Sequence, residues 1–350
     1  MATLVNNNGG ELQAGGAVKR RKRIWAFAAL CATTALLAGG YLAFAIWRNA
    51  RVTTPELKMA SLNTAPAPPY LIATSTAPDE TWRKLVVVPL STPDEAAYAT
   101  PLTCERAYFA GIRGVCLVQE TSGLVVNHYA DIFDGNFRRL HRVALTGLPS
   151  RTRVAGDGRR AAITVFESGH SYAQDGFSTR TTIVDTMAGR TLGDLEQFVT
   201  WREGKRFQAV DFNFWGVTFA QDGNRFFATL ASGGVKYLVE GNVDARETRV
   251  VRTGVECPSL SPDNTRIAYK HMTDQAGTWQ LRVYDLRTGS VVPLTAETRS
   301  VDDQVDWLDN DRVMYHITGA RGADIWVLRT DNTEAPRILR QYAYSPAVVR

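Results

Sequence analysis

From about residue 83 onward the chain alternates apolar and polar residues in short runs, each closed by Gly, Asp, Asn or Pro. A period of two predicts half-buried strands joined by tight turns. The sharpest example is Ser259 to Tyr269. Pro262 presets φ at the second turn position, Asp263 can bond back to its own backbone, and Asn264 tolerates a left-handed conformation. Arg266-Ile267-Ala268-Tyr269-Lys270 then alternates as a strand should. Related turns stand at Gly156-Asp157-Gly158, Gln221-Asp222-Gly223-Asn224 and Leu308-Asp309-Asn310-Asp311, each ahead of another strand-like run. With Asp157, Asp222, Asp263 and Asp309 as markers, the intervals are 65, 41 and 46 residues. A four-stranded propeller blade takes about 40–50 residues, so the two shorter intervals are one blade each. The longest carries an insertion, with Trp201 to Phe212 the expected excess.

Cys257 to Arg299 reads as one complete blade, with turn residues at each junction between four strands. About five such units are recognisable, and two strand-like ends are left over: Arg83 to Val88 before the first, Tyr344 to Val349 after the last. A ring must hide its terminal edges, and pairing both chain ends in one closing blade does so. The expected fold is therefore all-β, a propeller of six blades, with five or seven also open. An open β-sandwich array is the competing arrangement.

Ser261-Pro262-Asp263-Asn264-Thr265-Arg266-Ile267-Ala268-Tyr269, followed by Val283-Tyr284-Asp285-Leu286 and Gly289, resembles the TolB-type, WD40-like propeller repeat. The resemblance covers roughly residues 100–350 and is specific for fold, because unrelated functions share it. It implies an envelope scaffold that binds partner peptides at one face of the ring. The chain departs from that family in lacking an evident separate N-terminal α/β domain.

Ile24 to Trp47 is an uncharged, apolar stretch of 24 positions, enough to span a bilayer as a helix. Trp25 and Trp47 suit the two interfaces, and Lys19-Arg20-Arg21-Lys22-Arg23 just before it predicts a cytoplasmic N-terminus by the positive-inside rule. The expected organisation is a disordered cytoplasmic tail (1–23), a transmembrane signal anchor (24–47), a Pro/Ala/Thr-rich stalk (48–80) and an extracytoplasmic propeller (81–350). The alternative is a secreted protein cleaved after Ala43-Phe44-Ala45, although a signal-peptide core is usually shorter. The chain's net charge of +5 sits mostly in that topology signal: residues 1–47 hold five basic residues and one acid. The remainder is nearly neutral, which argues against nucleic acid as a partner.

Cys104 and Cys116 lie on one expected hairpin and could be bridged outside the cytoplasm. Cys257 opens an inner strand and reads as a packed free thiol. No Gly-x-Ser-x-Gly, His-Glu-x-x-His or Cys-x-x-Cys pattern occurs, so no catalytic residue, metal ligand or cofactor is assigned. His128, His141, His170, His271 and His316 are scattered; His271 and His316 follow equivalent strands of adjacent blades and would make a conceivable metal pair. Asp302, Asp303, Asp306, Asp309 and Asp311 lack the central Gly and terminal Glu of a calcium loop, and blade-turn chemistry accounts for them. Trp201, Arg202, Arg206, Phe212 and Trp215, clustered around the insertion, form an expected partner-binding surface, since Trp and Arg are favoured at hot spots; the same residues equally suit a cap on the ring's own core. The expected function is a membrane-anchored, non-enzymatic scaffold for an extracytoplasmic protein or peptide. The alternative is an exported enzyme or glycan-binding protein with its site over the central channel.

Overall fold

The computed structural model describes residues 11–50, 57–59, 67–93, 97–167 and 178–350. They belong to two compact units divided between Thr54 and Pro55. In the first, one helix runs from Glu11 to Ala50. Its stretch Arg21–Phe44 is long and apolar enough to cross a membrane, and none of it is buried within the protein. The Thr33 and Thr34 hydroxyls donate to the carbonyls of Ala29 and Leu30 at 2.9 and 2.8 Å, so both are satisfied without water. The helix continues back through residues 11–23, where the sequence predicts a disordered tail. Leu12, Gln13, Ala14, Ala17 and the Lys/Arg run are strong helix formers, and they extend a helix already nucleated by the apolar stretch. Residues 1–10 of that tail lie outside the described residues.

The second unit is a six-bladed propeller. Five blades follow in chain order, over residues 106–145, 148–194, 213–253, 256–293 and 306–340, each with its first strand innermost and the next three pairing outward. The sixth blade closes the ring. Its innermost strand is Ala343–Val349, followed outward by Tyr70–Ser75, Lys84–Pro89 and Ala97–Thr103, with Leu57–Met59 added in parallel on the outer edge. The ring therefore begins well before residue 81, and part of the predicted stalk is folded into it. Tyr70–Ser75 is buried at all its positions, so it lacks the alternation that marks a half-exposed strand, and the prolines just before it disguise it as linker. Residues 51–56 and 60–66 of the predicted stalk are outside the described residues.

The turn chemistry read from the sequence holds in detail. One carboxylate oxygen of Asp157 accepts the Arg159 N–H at 2.9 Å, that of Asp222 accepts Asn224 and Arg225 at 2.9 and 2.8 Å, that of Asp263 accepts Thr265 at 3.1 Å, and that of Asp309 accepts Asp311 and Arg312 at 2.9 and 2.8 Å. Gly158, Gly223 and Asn264 supply the left-handed residue, with φ of 76°, 67° and 60°. These acids cap turns between the first and second strands of their blades.

The insertion is a hairpin, Val199–Arg202 with Lys205–Phe207, that joins the outer edge of the third blade and makes it six-stranded. Its first strand runs parallel to Glu247–Thr253, with Thr200 beside Thr248 and Trp201 beside Arg249. Between blades the core is apolar: Phe227, Leu238, Ile267 and Tyr269 pack the third against the fourth, and Phe214, Phe226 and Val239 face the second. Cys104 and Cys116 form a disulfide, their Cα atoms 5.3 Å apart, within the cluster that joins the first blade to the closing one.

Candidate functional site

Innermost strands surround a channel, and the sequence places charge on them. Arg151, Thr152 and Arg153 lie on that of the second blade and Arg106 on that of the first, while the segment before Trp307 carries Asp302, Asp303 and Asp306. Five consecutive residues, 302–306, reach across the channel. The Asp302 carboxylate meets the Lys270 ammonium of the fourth blade. Asp303, only 2% exposed, accepts Arg106 of the first blade at 3.0 and 3.2 Å, pairs with Arg151 of the second, and lies 2.6 Å from Nδ1 of His316 on the fifth. Gln304 donates its amide to the Val217 and Pro258 carbonyls of the third and fourth blades at 3.2 and 2.7 Å. The Val305 carbonyl accepts Arg153 at 2.7 Å, and Asp306 sits 3.8 Å from the same guanidinium. From the closing blade, Tyr344 places its ring 5.4 Å from the Arg106 guanidinium and edge-on to His316.

Electrostatics follow from this geometry. Burial works to raise the Asp303 carboxyl, but Arg106, Arg151 and His316 outweigh it and hold the group well below the usual carboxylate range. Burial likewise opposes the charge on Arg151 and Lys270, yet both end above their ordinary values, Asp303 and then Cys257 acting on the first, Cys257 and then Asp302 on the second. Burial and the nearby Asp306 push the Tyr108 phenol up to about 12, while Arg153 stacks 4.5 Å from its ring. Segment 302–306 is thus a polar plug that bonds to five blades at once. Turn chemistry, expected from the sequence for this run of acids, accounts for Asp309, which caps a blade turn, but not for Asp302, Asp303 and Asp306, which meet cations of other blades instead. A period-two pattern gives the face of a strand but not which charges meet across a ring, so the pairing was not legible.

His271 and His316 do not form a pair: the first lies 2.7 Å from the Gly254 carbonyl, the second on Asp303. Among the described residues no group of three or more His, Cys, Asp or Glu could hold a metal ion; His170 falls outside them. Cys257 is buried and free.

The five residues proposed for a partner surface separate into three places. Phe212 packs into the interior between the second and third blades, its ring 5.0 Å from Phe207 and 6.1 Å from Phe214. Trp215 is buried on the innermost strand. Trp201, Arg202 and Arg206 are on the added hairpin at the rim, where Arg202 turns toward Tyr237, donating to its hydroxyl at 3.2 Å. Strand register puts Arg206, Trp201, Arg249, Glu240 and Phe227 in one row on the face toward the fourth blade. That row forms the outward continuation of a cleft of about 580 Å³ between these blades, walled on one side by Arg225, Glu240 and Arg249 and on the other by Tyr284, Leu286 and Arg287. Smaller cavities of about 210 and 400 Å³ flank the second blade. At the first, the half-buried Glu196 carboxylate accepts the Thr181 and Phe214 N–H groups, and burial pushes its carboxyl up to about 8.

No family model matches the chain, and no curated protein does. Solved structures do. TolB of Acinetobacter baumannii aligns at TM-score 0.53 and 14% identity, over 80% of this chain and 66% of that one. A chain of a nidogen–laminin complex aligns at TM-score 0.54 and 10% identity, over 80% of this chain and 98% of that one. A putative TolB from Agrobacterium tumefaciens gives TM-score 0.46 and 12% identity, over 79% and 90%. At such identities the likeness is one of fold, and the fold shared is the TolB-like six-bladed propeller, preceded in this chain by an apolar helix.

Proposed function

We propose that this chain is a membrane-tethered, extracytoplasmic propeller that recruits a protein or peptide and has no catalytic role. The observation that carries the reading is the plugged channel. Each acid of segment 302–306 stands against a cation, Asp302 on Lys270, Asp303 on Arg106, Arg151 and His316, Asp306 on Arg153. An enzyme working over the channel needs a carboxylate or imidazole poised for proton transfer, and here these groups are spent on holding blades together. What remains for recognition is the outer surface, which the added hairpin enlarges. Likeness to TolB supports a scaffold of the envelope, and the apolar stretch Arg21–Phe44 with its basic flank supports tethering with the N-terminus inside.

The test uses the full-length chain in its native envelope, cross-linked and purified by a tag, beside protease protection of the C-terminal ring. Recovery of one protein in stoichiometric amount, with the ring digested only from outside the cytoplasm, is the expected result. Tight glycan binding or glycan hydrolysis without a protein partner would overturn the recruiting role. A ring protected as a cytoplasmic domain would overturn the topology.

A further inference from the structure

We infer that the cleft between the third and fourth blades binds an acidic protein segment that carries an apolar residue. Arg206, Arg249 and Arg287 would take its carboxylates, and Trp201, Tyr284 and Leu286 its apolar side chain. The inference rests on the recruiting role proposed above and names its site and the chemistry of the partner.

The cleft exists because two neighbouring blades differ in width. The third blade has six strands, whereas the fourth has four and its outermost is only Val291–Pro293. The two added strands therefore overhang, and among the described residues no blade stands opposite the face they present. Register then decides what that face offers. Trp201 pairs with Arg206 on one side and Arg249 on the other, so an indole lies between two guanidinium-bearing positions on one face. Strands about 4.8 Å apart put those positions roughly 10 Å from each other, the span of about three residues of an extended peptide. Arg and Trp together are the residue types that most often anchor a bound partner.

Charge favours an acidic occupant. Arg206, Arg225, Arg249 and Arg287 stand against Glu240 and Asp285. Glu240 is already engaged by Arg249 at 2.7 Å and Arg225 at 3.6 Å. One oxygen of Asp285 accepts the Arg287 and Thr288 N–H groups at 3.0 and 2.7 Å within its own turn, and those bonds, with the Thr288 side chain, keep its carboxyl below the ordinary value. Two positive charges remain in excess. The Arg249 side chain is 70% exposed and that of Arg225 41%, so both reach solvent where a carboxylate could meet them. Beneath them the floor is apolar: Phe227 is fully buried, and Val251, Tyr284 and Leu286 are partly buried against the same core. The Arg252 guanidinium lies 4.7 Å from the Tyr284 ring and holds it in place.

The experiment places the full-length chain in nanodiscs of zwitterionic lipid and measures fluorescence anisotropy of a labelled peptide of alternating Glu and Phe. Expected is saturable binding that weakens with added salt. The double variant Arg206→Glu/Arg287→Glu should weaken it by roughly tenfold or more, as should Trp201→Ala. The charged pair of substitutions is at exposed positions, and an unchanged melting temperature verifies that the ring is intact. Equal binding of a Lys/Phe peptide, undiminished binding by the double variant, or recruitment of phosphatidylglycerol vesicles with no peptide binding would each overturn the inference. If the native partner is captured equally by the double variant, the cleft is wrong and the recruiting role stands. If no protein is captured at all, the role itself falls.

Discussion

Asp303 is the acid on which three cationic partners converge, so exchanging one of its carboxylate oxygens for an amide nitrogen should be costly to the ring. Asp303→Asn keeps the shape and one acceptor oxygen but leaves Arg106, Arg151 and His316 facing a neutral amide at the centre of the channel. The carboxylate is 2% exposed, and its partners' side chains are 23%, 16% and 14% exposed, so solvent screens the site only in part. Breaking a buried pair by deleting one partner typically costs about 3–5 kcal/mol, because the remaining charge is uncompensated. For a ring of nearly 300 residues, with unfolding entropy of about 2.1 cal/mol/K per residue, this is a fall in melting temperature of about 5–8 °C. The assay is tryptophan fluorescence on heating the full-length protein in detergent. Acid adds a second signature. The Asp303 carboxyl is held well below its ordinary value, so its stabilisation is complete above the unfolded pKa of about 3.9 and is lost as pH falls below that toward the folded value. The wild type should thus lose its advantage over the Asn variant in strongly acidic buffer. Arg106→Gln should then cost less in the Asn background than alone, by roughly 0.5–3 kcal/mol of coupling. A loss under 1 kcal/mol at neutral pH, or strict additivity of the two substitutions, would refute the view of segment 302–306 as the tie across the channel.

Three further outcomes are expected. Glu196 titrates near 8 in the folded protein, against about 4.3 unfolded, so its contribution to stability is present below pH 4 and lost as pH rises toward 8; Glu196→Gln should remove that alkaline decline, and melting curves from pH 5 to 9 that run parallel for both proteins would contradict it. Reducing the Cys104–Cys116 bridge, which closes a loop with a separation of 12 residues, should cost about 2–3 kcal/mol, seen as a lower melting temperature with dithiothreitol that is absent in Cys104→Ala/Cys116→Ala. Leu71→Ala, at a position of zero exposure in the strand paired to the innermost strand of the closing blade, should cost about 2–5 kcal/mol in urea unfolding; a change below 0.5 kcal/mol would mean that Tyr70–Ser75 is linker after all.

What the sequence disclosed and what it hid divide along a physical line. Turn chemistry is local: Asp263 needs only residues two positions away to cap its turn, so Ser261-Pro262-Asp263-Asn264 and its relatives at Asp157, Asp222 and Asp309 announce four blades and their order, while the count of six is settled by the closing blade. The apolar helix is equally local. Strand Tyr70–Ser75 escapes the pattern because both its faces are buried, which erases alternation, and because one of its sheet partners, Ala343–Val349, comes from the far end of the chain. The acids at 302, 303 and 306 were misassigned for a related reason. They sit in one short run with Asp309, which does cap a turn, and nothing in that run says that Arg106 and Arg151, some 150 to 200 residues away, arrive beside Asp303. The hairpin shows the intermediate case. Its excess length and its Trp and Arg content were legible, and the residues were proposed as a surface. Which of them share a face is a matter of register: the parallel pairing of Trp201 with Arg249 draws a distant strand into the site and turns Arg202 away from it. Composition therefore located the hairpin, while only the fold could select which of its residues share a face. A ring whose central charges tie its blades together, and whose third blade is widened by a row of Arg and Trp, leaves the rim as the place where the proposed recruiting role is to be tested.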